Sequence, residues 1–126
     1  MESLDRATLD RSSAQYEGYD YYMTARAGAE THPNYTHKAP MMLMEDAPLT
    51  SATALAPYLY TPYLGIYGEK AMQDTGPLTV AFYEAASEPK ELYEVPGASH
   101  VSLYDVDADV ERAVAKMDSF FQQHAG

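Results

Sequence analysis

His100 is the residue of this chain best suited to move a proton. It lies in the run Lys90-Glu91-Leu92-Tyr93-Glu94-Val95-Pro96-Gly97-Ala98-Ser99-His100-Val101-Ser102-Leu103-Tyr104-Asp105. That run reads as a strand, a Pro-Gly turn, and an imidazole just ahead of an amphipathic helix. Imidazole titrates near neutrality, and a loop position after a strand gives it reach and freedom to orient. An idle surface histidine is the plainer alternative. The Pro96-Gly97 turn and the apolar Val101 and Leu103 favour a fixed geometry instead. What such a base would serve is missing. No serine occupies a Gly-x-Ser-x-Gly turn. Ser3, Ser12, Ser13 and Ser51 lack flanking glycines, and Gly97-Ala98-Ser99-His100-Val101 lacks the second glycine. No glycine-rich loop supplies oxyanion donors, and a base without nucleophile or oxyanion hole contributes little to acyl transfer.

Other chemistries find less. His32 and His37 lie five residues apart in a loop near Glu30, without the tighter spacing and third ligand that a metal site needs. No glycine-rich loop precedes a helix to cradle phosphate. Neither a metal nor a cofactor is expected. The chain has no cysteine, which excludes disulfides and thiolate catalysis. Its formal net charge of -11 argues against nucleic acid or an anionic membrane as partner. No apolar run approaches the roughly 20 residues of a membrane helix, and Met1-Glu2-Ser3-Leu4-Asp5-Arg6 lacks the apolar core of a secretory signal. A cytoplasmic protein is the simplest expectation. The chain has 12 tyrosines and no tryptophan. They gather at Tyr16, Tyr19, Tyr21 and Tyr22 and again at Tyr58, Tyr60, Tyr63 and Tyr67, where rings are expected to pack with their hydroxyls at a wet edge.

The elements that must position His100 lie in the second half. At 126 residues the chain reads as a single domain, 1–126, with an irregular and helical segment over 1–60 and a β-α-β-α unit over 61–126. Residues 2–16 suggest a short helix with Leu4, Ala7, Thr8 and Arg11 along one side. Residues 28–48 hold Gly28, Pro33, Asn34, Pro40 and Pro48 and read as loop, interrupted by the apolar patch Met41-Met42-Leu43-Met44. Pro62-Tyr63-Leu64-Gly65-Ile66-Tyr67-Gly68 suits a strand buried on both faces, as in parallel sheets. Leu78, Ala81, Phe82 and Ala85 then mark one face of a helix, and residues 90–95 a second strand. A final helix over 107–123 is expected to bury Val110, Val114, Met117 and Phe121. Asp107, Asp109 and Glu111 in its first turn favour the helix dipole. Residues 69–89 are long enough for a right-handed crossover between parallel strands. Two strands make a poor sheet, with both edges open.

Residues 62–123 resemble the C-terminal portion of an α/β-hydrolase of the dienelactone-hydrolase-like bacterial branch. The matching residues are Gly68-Glu69-Lys70-Ala71, Pro89-Lys90-Glu91-Leu92, Pro96-Gly97-Ala98-Ser99-His100-Val101 and Leu103-Tyr104-Asp105. Glu17-Gly18-Tyr19-Asp20-Tyr21-Tyr22, Arg26 and His32-Pro33 extend the likeness upstream. The resemblance implies a partial α/β-hydrolase fold without the nucleophile-elbow half, with His100 as the general base of a triad. It places the triad carboxylate just after the strand ending at Gly68, where Glu69 and Asp74 are both available, Asp74 ranking ahead for reach.

Two functions follow as expectations. The chain is the histidine-bearing part of an incomplete ester- or lactone-type serine hydrolase, its sheet completed by a complementary half, and inactive alone. Alternatively it is a non-catalytic interaction or structural module, a homodimer pairing strands to hide its sheet edges.

Overall fold

The computed structural model describes residues 9–28, 30–36, 38, 51–73 and 75–124. The chain divides into two compact units, Met1–Leu49 and Thr50–Gly126, each taken by itself below.

In the first unit one helix, α1 (Ala14–Met23), is described. Ser13 caps it, its hydroxyl accepting from the Tyr16 N–H at 3.1 Å. Of the helix expected over 2–16, residues 9–13 form bends and turns and α1 begins at Ala14. Residues 1–8, with Leu4, Ala7 and Thr8, lie outside the described residues. The reason is local: Asp10 accepts from the Ser12 N–H at 2.9 Å and holds the chain in a turn just before the cap. None of the residues of α1 is buried. Its rings make local contacts, Tyr21 edge-on to Tyr22 at 4.9 Å and Tyr22 stacked on Tyr35 at 6.2 Å. The loop residues 30–36 and 38 form turns and coil, as expected, whereas the methionine patch at 41–44 lies outside the described residues.

The second unit carries two parallel strands, β1 (Tyr63–Gly68) and β2 (Lys90–Val95), paired Tyr63 to Lys90 through Gly68 to Val95. Between them runs α2 (Gly76–Ala85), and after them α3 (Asp107–His124), preceded by a one-turn helix at Ser102–Asp105. A 3-10 turn at Thr53–Tyr58 leads in. Thus the expected β-α-β-α order is present, as a mixed α/β arrangement built on a two-stranded parallel sheet.

Strand alternation sorts the two faces. Tyr63 packs on Phe82 of α2 at 4.8 Å, and the Lys90 ammonium donates to the Glu84 and Ala86 carbonyls at the end of α2, where a cation complements the helix dipole. On the other face Ile66, Tyr93 and Val95 gather with Ala98, Leu103 and Ala113 of α3. Glu91 pairs there with Lys116. This core is small, and Val95 is its largest fully buried side chain.

Of the stripe expected to be buried on α3, Val110 and Met117 are half-buried, and the fully buried line runs one position earlier. Asp109, Ala113 and Phe120 are the buried residues, whereas Val114 and Phe121 are 49% and 58% exposed. A small residue, Ala113, lets the helix approach the sheet closely, and Asp109 is tolerated inside because it is fully bonded. Leu78, expected on the inner face of α2, is exposed as well. Among the described residues no helix is long and apolar enough to cross a membrane.

Candidate functional site

His100 sits where the chain leaves β2. The turn ahead of it is built by Pro96 and Gly97, with Gly97 at φ 73° and the Ala98 N–H donating to the Val95 carbonyl at 3.2 Å. A positive φ at the third turn position is the reason for glycine there. Gly68, at the end of β1, is required on different grounds: a Cβ would lie 2.5 Å from the Ala98 carbonyl oxygen. The two strand ends are thereby locked together, and the Lys70 N–H donates to that same carbonyl at 2.9 Å.

The His100 ring is held between two hydroxyls. Nδ1 is 2.9 Å from Thr75 Oγ1, just ahead of α2, and Nε2 is 2.6 Å from the Tyr104 hydroxyl one helical turn on. The Tyr104 ring meets the imidazole edge-on at 5.2 Å. A neutral imidazole donates from one nitrogen and accepts at the other, and a hydroxyl can do either, so this pair suits both tautomers. Among the described residues no carboxylate bonds the ring. Glu69, one of the two expected acids, is engaged elsewhere. Its Oε2 accepts from the Gly97 N–H at 2.7 Å and fastens the Pro-Gly turn. Asp74, the other expected acid, lies outside the described residues.

The serines weighed above as nucleophiles are, where described, engaged in turns and caps. Ser13 caps α1, Ser12 donates to Asp10 at 2.8 Å, and Ser51 accepts from the Ala54 N–H at 3.3 Å. Ser3 lies outside the described residues. Ser99 and Ser102 form a reciprocal pair, each hydroxyl accepting from the other's N–H at 2.9 Å, in the manner of a capping box. The Ser102 hydroxyl donates to Asp109 Oδ2 at 2.5 Å, and Asp109 also pairs with Arg112. Arg112 in turn donates to the Pro96 carbonyl at 2.8 Å. Ser102 and Asp109 are each only 9% exposed. The Ser102 hydrogen bond, opposed by burial and joined by Arg112, holds the Asp109 carboxyl below its ordinary value. This network clamps the His100 loop onto α3 and holds the buried Ser102 hydroxyl in a structural role.

The sequence reading missed this network and both hydroxyls on His100. Tyr104 was legible, being four residues from His100. Thr75 was not, because only the crossover brings it near. Among the described residues no group of histidines and acids could hold a metal ion. His32 is described, and His37 lies outside the described residues.

No family model matches the chain. The chain is similar to an uncharacterized protein. That relative, PA2218 of Pseudomonas aeruginosa, is 42% identical over 94 residues, covering 69% of this chain and 23% of the relative. The crystal structure of hypothetical protein PA2218 superposes with a TM-score of 0.69 at 32% identity, covering 92% of this chain and 36% of that one. The chain thus spans about a quarter to just over a third of the relative it matches. These findings overturn the assignment to the α/β-hydrolases. The similar proteins carry no hydrolase designation, and the Pro-Gly-x-x-His segment that prompted it is a turn and a clamped loop, not a signature by itself. The architecture is mixed helix with a small parallel sheet, without a partial hydrolase fold as its explanation.

Proposed function

We propose that this chain is a non-catalytic interaction module whose sheet is completed by a polypeptide segment outside residues 1–126. One observation carries the reading. β1, Tyr63-Leu64-Gly65-Ile66-Tyr67-Gly68, has no charged residue, yet among the described residues it pairs with β2 alone. β2 carries Lys90, Glu91 and Glu94 and is flanked by Pro89 and Pro96, the marks of a strand built to stand at an edge. Among the described residues the strand suited to the interior therefore has one unpaired side. Exposed Leu55, Tyr58, Leu78 and Phe121 support the same reading. The clamped serines and the absence of a carboxylate on His100 among the described residues weigh against independent catalysis. The acidic, cysteine-free composition suits a cytoplasmic setting.

Amide exchange tests the proposal. The Tyr63 N–H donates to the Pro89 carbonyl, so Tyr63, Gly65 and Tyr67 point their backbone groups at β2, and Leu64 and Ile66 point theirs away. In the purified chain the Leu64 and Ile66 amides should exchange much faster than those of Gly65 and Tyr67. Equal protection, or ester turnover by the chain alone, would overturn the reading.

A further inference from the structure

α3 carries a second apolar stripe beside the one it buries. Val110, Val114, Met117 and Phe121 follow at intervals of four, three and four residues, the spacing of a heptad seam. Asp109, Ala113 and Phe120 are the buried residues of the helix; Val110 and Met117 are half-buried beside them, and Val114 and Phe121 are exposed, so the outer half of the seam is surplus to the packing of this unit. Its direction can be read from its neighbours. On one flank of the buried stripe Arg112 bonds the Pro96 carbonyl just past β2, and Lys116 pairs with Glu91 of β2. On the other flank Phe121 lines a depression of about 190 Å³ with Pro62, the residue before β1, beside Phe120 of the buried stripe and His124, which also approaches Glu91. The Phe121 end of the seam therefore lies toward Pro62, the residue that leads into β1.

The outer border of the seam is acidic. Asp107, Glu111 and Asp118, with Gln122, run alongside it and are exposed. A second copy would bring the same acidic border against this one, on chains that each carry a net charge of -11. In the P. aeruginosa structure almost two thirds of the chain lies outside the matched portion, ample to supply a strand and a helix. Resting on the module reading above, we infer that the seam of α3 receives an amphipathic helix with basic flanks, belonging to the polypeptide that pairs with β1.

The probe is a fluorescein-labelled three-heptad peptide with leucines at the a and d positions and lysines at e and g. It is titrated with the full chain and followed by anisotropy. A scrambled peptide of the same composition, without a stripe, controls for charge attraction, and a version with glutamates at e and g controls for the acidic border. The lysine-flanked peptide should bind about tenfold or more tightly than either control, and the double variant Val114→Ser/Phe121→Ser should lose about tenfold of that affinity. Leu78→Ser, which removes an exposed apolar side chain from α2, should leave it unchanged. Circular dichroism establishes that the variants are folded. Equal binding of the scrambled peptide, no binding at all, or an unaffected seam variant would overturn the inference. So would a wild-type dimer in sedimentation that the seam variant dissociates, since the occupant would then be a second copy. An open β1 edge by amide exchange together with failed peptide binding would sink only the seam, whereas a protected edge would sink the module reading itself.

Discussion

The carboxyl end of the strands and the exposed stripe of α3 are built on opposite plans. At the carboxyl end nearly every polar group is answered within the chain: Glu69 on Gly97, Ser99 and Ser102 on each other, Asp109 between Ser102 and Arg112, Arg112 on Pro96. On α3, Val114 and Phe121 are exposed, and among the described residues β1 pairs with β2 alone. A closed polar network specifies one loop geometry, because each unmade bond would leave a desolvated group. An apolar flank specifies nothing until something covers it. This unit is thus closed where it positions His100 and leaves apolar side chains exposed on α3.

The sharpest way to break this contrast is at Gly68. Gly68→Ala would drive a methyl into the Ala98 carbonyl, which is backbone and cannot swing aside. A loss of about 3 kcal/mol is expected in urea unfolding; a loss near zero would show that the locked end yields. Asp109→Ala comes next. It strands the Ser102 hydroxyl and the Arg112 guanidinium, and a loss of about 1–3 kcal/mol is expected by the same measurement.

Acid sharpens the same point. The Asp109 carboxyl is lowered from its ordinary 3.8 by the Ser102 hydrogen bond first, with Arg112 adding to it. The unfolded chain therefore takes up this proton at higher pH than the folded one. The stability it contributes is present in full above the unfolded value and is lost as pH falls through the folded value. Stability should decline below about pH 4, and Asp109→Asn should flatten that part of the profile. An unchanged profile would remove Asp109 from the account.

Smaller effects are expected at the imidazole. Thr75→Ala and Tyr104→Phe each remove one hydroxyl from His100 and should cost about 0.5–1.5 kcal/mol, with a change in the His100 ring resonances by NMR. The smallest effect belongs to the open flank. Phe121→Ser should alter the stability of the isolated chain by no more than about 0.5 kcal/mol. A loss as large as that of Asp109→Ala would place Phe121 in the core and erase the difference between the two regions.

Much of the frame was legible from residue order. The apolar run at 63–68, the second strand at 90–95 and the intervening helix all appear where the patterns put them. The positive φ of Gly97 follows from the Pro-Gly pair. The inner stripe of α3 was misread, because hydrophobicity alone prefers Val110, Val114, Met117 and Phe121 to a stripe holding an aspartate and an alanine. Nothing in the linear pattern shows that Ser102, seven residues before Asp109, will satisfy that carboxylate. The family likeness failed on similar grounds: short matches around turns report turn chemistry, which many folds share.

What residue order determined alone is local: which segments coil or extend, where glycine must bend the chain, and that no cysteine chemistry is available. These follow from backbone sterics and periodicity, which act over a few residues. Tertiary structure decided the partners of His100, the burial of Asp109 and the side of α3 that stays bare. Each of these depends on contacts between segments separated by a crossover or a turn, and contact of that kind is a property of packing, not of spacing along the chain.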